Sequence, residues 1–434
     1  MSLSKSLRTS TIKMGVQERT YFCIDMKCFY ASVECAERGL NPFETCLVVA
    51  DESRGTNALC LAISPKMKSL GVKNRCRMSE IPKSVKYIVA KPRMQLYIDY
   101  AADIYDIYLD YISPDDIHVY SIDEAFLDVT GYLKNYKMSA EEFATFLINQ
   151  IARRKHIPST AGIGTNLFLA KVALDITAKR AKNHIGYLDE QMYQETLWNH
   201  RPITDFWQIA NGTAARLARY GIYDMGGIAR APEELIYRNF GVNGELLIDH
   251  AWGREPCTIA DIKSYKSKSK SVSMSQILFE DYDFEKALLV ILEMTLSGCQ
   301  EMMRRKVITN SIGIYVAYSK DVIPASGGTV KLTATTNVFS IISENVEKLY
   351  RKIVNPRCPI RRLGITFNNV VDEGCEGYDL FTNFEEVERE KAREHTVLEI
   401  KERFGKNAVL RGFDLEEGAT TVIRNKLIGG HNSE

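Results

Sequence analysis

Three carboxylates carry the chemical interest of this sequence. Asp123 and Glu124 are adjacent inside VYSIDEAFLDVTG (119–131), and Asp25 nearly closes the apolar run YFCIDM. Both segments read as strands, rich in Val, Ile, Tyr and Phe, and the second ends at a Thr-Gly turn. Adjacent side chains on a strand point to opposite faces, so one of the pair must enter the core unless the chain bends there. Neighbouring carboxylates also repel, and burying either one unpaired is costly. Cations remove both objections. A strand-end acid followed about 100 residues later by an Asp-Glu pair is the layout of a two-metal phosphoryl-transfer site. There, two Mg²⁺ ions roughly 3.5–4 Å apart need several converging oxygen ligands. One ion would lower the pKa of an attacking hydroxyl, and the other would neutralise a triphosphate and its leaving pyrophosphate. On spacing alone, an ordinary set of sheet-borne acids is the commoner explanation.

The elements that must hold these residues can be read along the chain. YFCIDM passes into FYASVECAERG, with Phe29, Val33 and Ala36 at helical spacing and Gly39 as a stop. CLVVAD (46–51) reads as a second strand, and ALCLAIS is a short apolar run after it. Apolar residues at 97, 100, 101, 104, 108 and 111 predict a helix over 96–112, ended by Ser113-Pro114. A helix near 140–155 follows, then TAGIGTN as a strand leading into a helix over 167–180. This is α+β, with a sheet built from non-consecutive strands. Between 207 and 253, WQIANGTAARLARYGI and FGVNGELLIDHAWG each have a helix–Gly turn–helix form. The turn amides of such hairpins can hold a DNA phosphate without reading bases. The first has Asn211-Gly212 where such turns usually carry Gly-x-Gly, and a helical subdomain without ligand is the alternative. KSYKSKSKSVSMSQ reads as a linker. A helix over 284–305, strands SIGIYVAYS and KLTATTNVFS, a helix over 344–354 and the strand RRLGITFNNV make a second α+β unit. In the tail a helix starts at Asn383, with Glu386 in the capping position and a Val397, Ile400, Phe404 stripe.

At 434 residues the chain is long enough for two to four domains. No run approaches the ~18 apolar residues of a membrane span, and the polar start has no secretory h-region, so a cytoplasmic protein is expected. The ten cysteines never form CxxC and the histidines are scattered, which points to reduced thiols and away from zinc or disulfides. Net charge is +1, yet residues 64–93 carry nine Lys or Arg against Glu80 alone. Residues 263–270 carry four lysines and 351–362 five basic residues, without an acid in either. Any one stretch reads as a solvated face, but three on a near-neutral chain suggest a polyanion held between lobes.

DMKCFYASVE followed by SIDEAFLDVTG closely resembles the two catalytic motifs of the Y-family (translesion) DNA polymerases. GIGTNLFLAKVALDITAK resembles that family's next palm motif, the hairpin region its thumb, and the span from KSKSVSMS to RRLGITFNNV its little finger. The likeness covers about 21–370, in order, and is nearest to the UmuC-like branch of Gram-positive bacteria and their mobile elements; the closing RNKLIGGH fits that branch. The resemblance implies a right-hand architecture: a leader (1–20), palm (21–36 and 96–185), fingers (37–95), helix-hairpin-helix thumb (186–258), linker (259–270), little finger (271–370) and C-terminal tail (371–434).

By that resemblance Asp25, Asp123 and Glu124 hold two Mg²⁺ ions, for which Mn²⁺ can substitute, with the Met26 carbonyl as an extra ligand and Glu124 next to the primer 3′-hydroxyl. Tyr30 falls at the steric gate that favours dNTPs over NTPs, and Phe29 packs under the sugar. Lys68 takes the place of the family's phosphate-binding arginine, with Pro65 where a tyrosine is usual; lysine neutralises phosphate but cannot form the bidentate fork. Lys179 resembles a second phosphate ligand, one residue further from Lys171 than the common pattern. Lys266, Lys268, Lys270, Arg361 and Arg362 would hold primer-template DNA. GYDLF (Tyr378, Leu380, Phe381) has the ending of sliding-clamp peptides, or else anchors the tail helix. A sliding clamp, a UmuD-like protein and a recombinase filament are candidate partners. The expected activity is low-fidelity, template-directed DNA synthesis in SOS-type damage tolerance. A palm-fold nucleotide cyclase, which needs no hairpin thumb, and a DNA-binding accessory factor with a decayed site are the competitors.

Overall fold

The computed structural model describes residues 19–266, 271–319, 323–378 and 382–434. Two compact units are present, residues 1–265 with 432–434, and residues 266–431.

The first unit begins with β1 (Tyr21–Met26), α1 (Phe29–Ala36), β2 (Leu47–Val49), β3 (Ala62–Ile63), α2 (Pro65–Ser69), β4 (Ile88–Ala90) and α3 (Met94–Leu109). It continues through β5 (Ile117–Val119), β6 (Glu124–Asp128), α4 (Tyr132–Tyr136), α5 (Ala140–Lys155), β7 (Ser159–Gly164), α6 (Leu167–Val172) and β8 (Ile185–Leu188). The main sheet has the order β5-β6-β1-β7-β8, and β3-β2-β4 form a small separate sheet. β1 is central and buried on both faces, which is why YFCIDM reads as a continuous apolar run. Phe22 packs toward Phe143 of α5, while Tyr21, Cys23 and Phe126 pack against Leu167, Ala170 and Leu174. Gly162 and Gly164 let β7 lie directly on α6: a Cβ at Gly162 would stand 2.1 Å from the Ala170 carbonyl oxygen.

Five short helices follow, α7 (Glu190–Leu197), α8 (Asn211–Ala218), α9 (Met225–Arg230), α10 (Glu233–Phe240) and α11 (Asn243–Ala251), around a core of Tyr193, Phe206, Leu217 and Ile236. α10 and α11 meet at Gly241, at φ +58, as the helix–Gly turn–helix reading expects. The first hairpin differs. Asn211 and Gly212 open α8, and the turn before it rests on Gln208 at φ +69. α12 (Ile259–Ser264) occupies the first half of the expected linker, held by a Thr258/Asp261 capping box.

The second unit comprises β9 (Ser271–Tyr282), α13 (Phe284–Arg304), β10 (Val307–Tyr318), β11 (Ser326–Thr336), α14 (Phe339–Ile353), β12 (Ile360–Asn368), β13 (Val371–Asp372), α15 (Phe384–Phe404) and α16 (Thr421–Arg424). The sheet runs β11-β10-β12-β9, with β13 added to β10. α13 and α14 cover one face through Ile291, Met294, Ile342 and Val346. α14 starts five residues before its predicted position, since Phe339, Ile342, Val346 and Leu349 form its buried face and Thr336 Oγ1 accepts from the Val338 amide to turn the chain. α15 begins at Asn383 as expected, but Val387, Lys391, Glu394 and Leu398 form its buried face and Phe404 is exposed.

Among the described residues no helix is long and apolar enough to cross a membrane.

Candidate active site

β1 and β6 pair antiparallel with Asp25 directly opposite Glu124, so their side chains share one face. The strand predicted over 119–131 is broken by a bend at 121–123, and Asp123 is its last residue. The bend frees Asp123 from strand alternation. Its carbonyl accepts from the Met26 amide at 2.9 Å, and the Ser121 hydroxyl donates to its Oδ1 at 2.7 Å. The amides of Tyr120 and Ser121 both donate to the Glu124 carbonyl, at 2.9 and 3.1 Å, closing the turn.

A lysine faces this group from α6. Lys171 Nζ lies 2.8 Å from Glu124 Oε1 and 3.1 Å from Asp175 Oδ2. Burial opposes the ammonium, but Cys23, Glu124 and Asp175 together hold it above the ordinary lysine value. The Cys23 thiol donates to Glu124 Oε1 at 2.9 Å; burial and then the Glu124 charge push it well up, so it stays a donor. Asp25 is pushed up to about 7, first by burial and then by the charges of Asp123 and Glu124. A buried excess of negative charge built from hard oxygens is the chemistry that suits a divalent cation. The donors have not converged, however. Glu124 is drawn to Lys171, and among the described residues no three His, Cys, Asp or Glu side chains form a cation-holding group.

Phe29 and Tyr30 open α1 where Cys28, at φ 52, turns the chain out of β1. Phe29 is buried, and the half-buried Tyr30 ring stacks on Tyr97 of α3, centroids 4.4 Å apart and planes at 14°. Burial and then the Asp123 carboxylate raise the Tyr30 phenol, while Arg75 opposes them. Lys68, on α2, stands against Cys28, whose thiol burial raises and Lys68 lowers.

Lys179 is exposed and makes no contact with the carboxylates that the structure records. A π turn, Ala173–Thr177, lies between Lys171 and Lys179, at the point where α6 would otherwise continue. Arg362 lies on the open face of the second unit's sheet, its guanidinium 5.8 Å from the Tyr315 ring centroid. Arg361 stands at the irregularity where β12 and β9 change register, and pairs with Asp281 at 3.4 Å. Lys266 is exposed, while Lys268 and Lys270 lie outside the described residues. So do Leu380 and Phe381. Tyr378 is held within the second unit, its hydroxyl 3.3 Å from Thr336 Oγ1 and its ring edge-on to Phe384 at 5.4 Å.

Sequence reasoning used Lys171 only as a spacing mark and missed Cys23, Asp175, Arg75 and Tyr97. A lone lysine inside an apolar helix is buried only with a partner, and that signal was available for Lys171.

A sheet of non-consecutive strands presenting three carboxylates, with a hairpin subdomain and a separate α+β unit, is the fold of Y-family DNA polymerases. The structure superposes on a solved Y-family DNA polymerase chimera with a TM-score of 0.61 at 20% identity, covering 82% of this chain and 100% of that one. Residues 24–175 match the impB/mucB/samB family and residues 269–380 match that family's C-terminal domain. The chain belongs to the impB/mucB/samB family. Among its relatives, the Bacillus subtilis protein named "Putative UV-damage repair protein UvrX" is 30% identical, over 96% of this chain and 98% of its own. DNA polymerase IV 2 of the same organism is 30% identical over 96% of this chain and 99% of its own.

Proposed function

We propose that this protein is a template-directed, low-fidelity DNA polymerase that extends primers across damaged template. The observation that carries the reading is Asp25 directly opposite Glu124, with Asp123 in the adjoining bend, its carbonyl accepting from the Met26 amide. The family membership and the names of the relatives support it.

Asp25, Asp123, Glu124 and the Met26 carbonyl would hold Mg²⁺, or Mn²⁺ in its place, which supplies activation of the primer 3′-hydroxyl and charge neutralisation on the triphosphate. Glu124 sits next to the primer end, steadied by Lys171 and Cys23. Tyr30 fills the space of a ribose 2′-hydroxyl, and Phe29 supports the sugar. Lys68 and Lys179 neutralise the triphosphate as point charges. Arg75, which shares the field of Tyr30, joins them. At α8 the N-cap is Ala210, which has no side-chain cap, so first-turn amides are open to a DNA phosphate. On the second unit, Gly313 and Gly364 keep the open sheet face low around Arg362, so that a sugar-phosphate backbone can approach.

Primer extension over an undamaged template and over one abasic site, beside an Asp123→Ala control, tests the proposal. Extension past the lesion that vanishes in the control supports it. Tight primer-template binding without any extension on either template overturns it in favour of an accessory factor.

A further inference from the structure

Behind Tyr30 lies a charged cluster that the reaction itself does not use. Glu34, one helical turn after Tyr30 on α1, has a side chain with 0% exposure. It accepts from Arg93 Nε at 3.0 Å and Arg93 Nη2 at 2.7 Å, and from the Tyr97 hydroxyl at 2.8 Å; Arg38 Nη1 also donates to it. Burial raises the Glu34 carboxyl, but the hydrogen bonds from Arg93, Arg38 and Tyr97 outweigh it and hold the group below its ordinary value. Arg93 is the N-cap residue of α3 and Tyr97 follows one turn later, so one carboxylate ties the start of α3 to α1. The Tyr97 ring, itself 0% exposed, is the surface on which Tyr30 stacks.

A buried ion cluster is a weak source of net stability, because desolvation offsets most of the attraction. It is a strong source of geometry. A ring that excludes one hydroxyl is selective only while it cannot recede, and interiors resist displacement when the next layer is itself fixed. Tyr97 is that layer. Its hydroxyl is fixed at one end, and its face meets Tyr30 at the other.

We propose that Glu34 is a positioning residue for sugar selection: through the Tyr97 hydroxyl and ring it holds Tyr30 against the incoming nucleotide, so that discrimination against ribonucleotides depends on the Glu34–Arg93–Tyr97 cluster as well as on Tyr30. This rests on the reading of Tyr30 as the gate. Loosening the support lets the ring recede and admits the 2′-hydroxyl, while the deoxy substrate, which never presses on the ring, is inserted nearly as before.

The test is single-nucleotide insertion with a dNTP and the matching rNTP, reading the ratio of the two kcat/KM values. The variants are Tyr30→Ala, Tyr97→Leu, Tyr97→Phe, Glu34→Gln and the double variant Tyr30→Ala/Tyr97→Leu. Tyr97→Leu and Glu34→Gln should each lower the dNTP preference by roughly tenfold or more, through a higher rNTP value. Tyr97→Phe, which keeps the ring and loses the tether, should fall between them and wild type. In the Tyr30→Ala background Tyr97→Leu should change nothing further. Should Glu34→Gln fail to fold, the Tyr97 variants decide alone. Equal losses for both nucleotides, with the ratio unchanged, would reduce the cluster to scaffolding and overturn the inference, as would a further drop in the double variant. If Tyr30→Ala itself leaves the ratio intact, the gate reading fails and the inference with it.

Discussion

Substituting Gly162 by alanine tests how Lys171 is placed against Glu124. The added Cβ would stand 2.1 Å from the Ala170 carbonyl oxygen and 2.3 Å from the Leu174 nitrogen. Comfortable contacts of this kind are about 3.5 Å, so α6 and the π turn would have to retreat by roughly 1 Å from β7. Overpacking of this kind typically costs about 1–3 kcal/mol. Both atoms struck are backbone and cannot swing aside, which puts the expected loss at about 3 kcal/mol or more. For a unit of this size that lowers the unfolding midpoint by roughly 6–12 °C. Lys171 rides on the displaced helix, so its contact with Glu124 should open and primer extension should fall even well below the transition. Thermal unfolding and extension measured on the same preparation provide the assay. Gly131→Ala is the control: nothing lies within 4 Å of its Cβ position, and its φ of −75° suits alanine. A change within about 0.5 kcal/mol is expected there. A Gly162→Ala protein with wild-type midpoint and activity would refute the packing argument.

Lys171→Met leaves Glu124 buried beside Asp25 without its cation, which should cost about 3–5 kcal/mol in EDTA and less in Mg²⁺; unfolding midpoints with and without the ion check it. His118 is lowered from 6.5, first by burial and then by Lys263, so the unfolded chain takes up a proton before the folded one does. Its contribution is full above about pH 6.5 and is lost as pH falls toward the folded value, while proton uptake by Asp25 on folding acts in the opposite sense; the urea midpoint of His118→Phe should therefore rise relative to wild type as pH goes from 8 to 5. Glu293, 1% exposed, accepts from the amides of Thr420 and Thr421 and from the Thr420 hydroxyl. Glu293→Gln should loosen this docking by about 3 kcal/mol, seen as faster proteolysis near α16.

Much of the candidate site was legible because its chemistry is local. An acid ending an apolar strand and an acid pair inside another are visible without knowing the fold, as was the α+β alternation around them. What periodicity missed were places where one residue overrides the pattern. The bend at Asp123 ends a run that reads as continuous strand, and Gln208 adopts a left-handed backbone where glycine is the usual signal. The π turn at Ala173–Thr177 departs from the regular helical spacing read across 167–180. Lys171, Glu34 and Tyr97 act through partners 47 to 63 positions away, a relation that exists only once the sheet and α3 have been assembled.

The most direct test of the account is single-turnover insertion of one dNTP in Mg²⁺ by wild type and by Asp25→Asn, Asp123→Asn and Glu124→Gln, with primer-template affinity measured on the same proteins. The account predicts that each variant binds primer-template within a few-fold of wild type and loses roughly a thousandfold or more in insertion rate. An amide variant that inserts at the wild-type rate, or a wild-type protein that binds primer-template and adds no nucleotide, would contradict it.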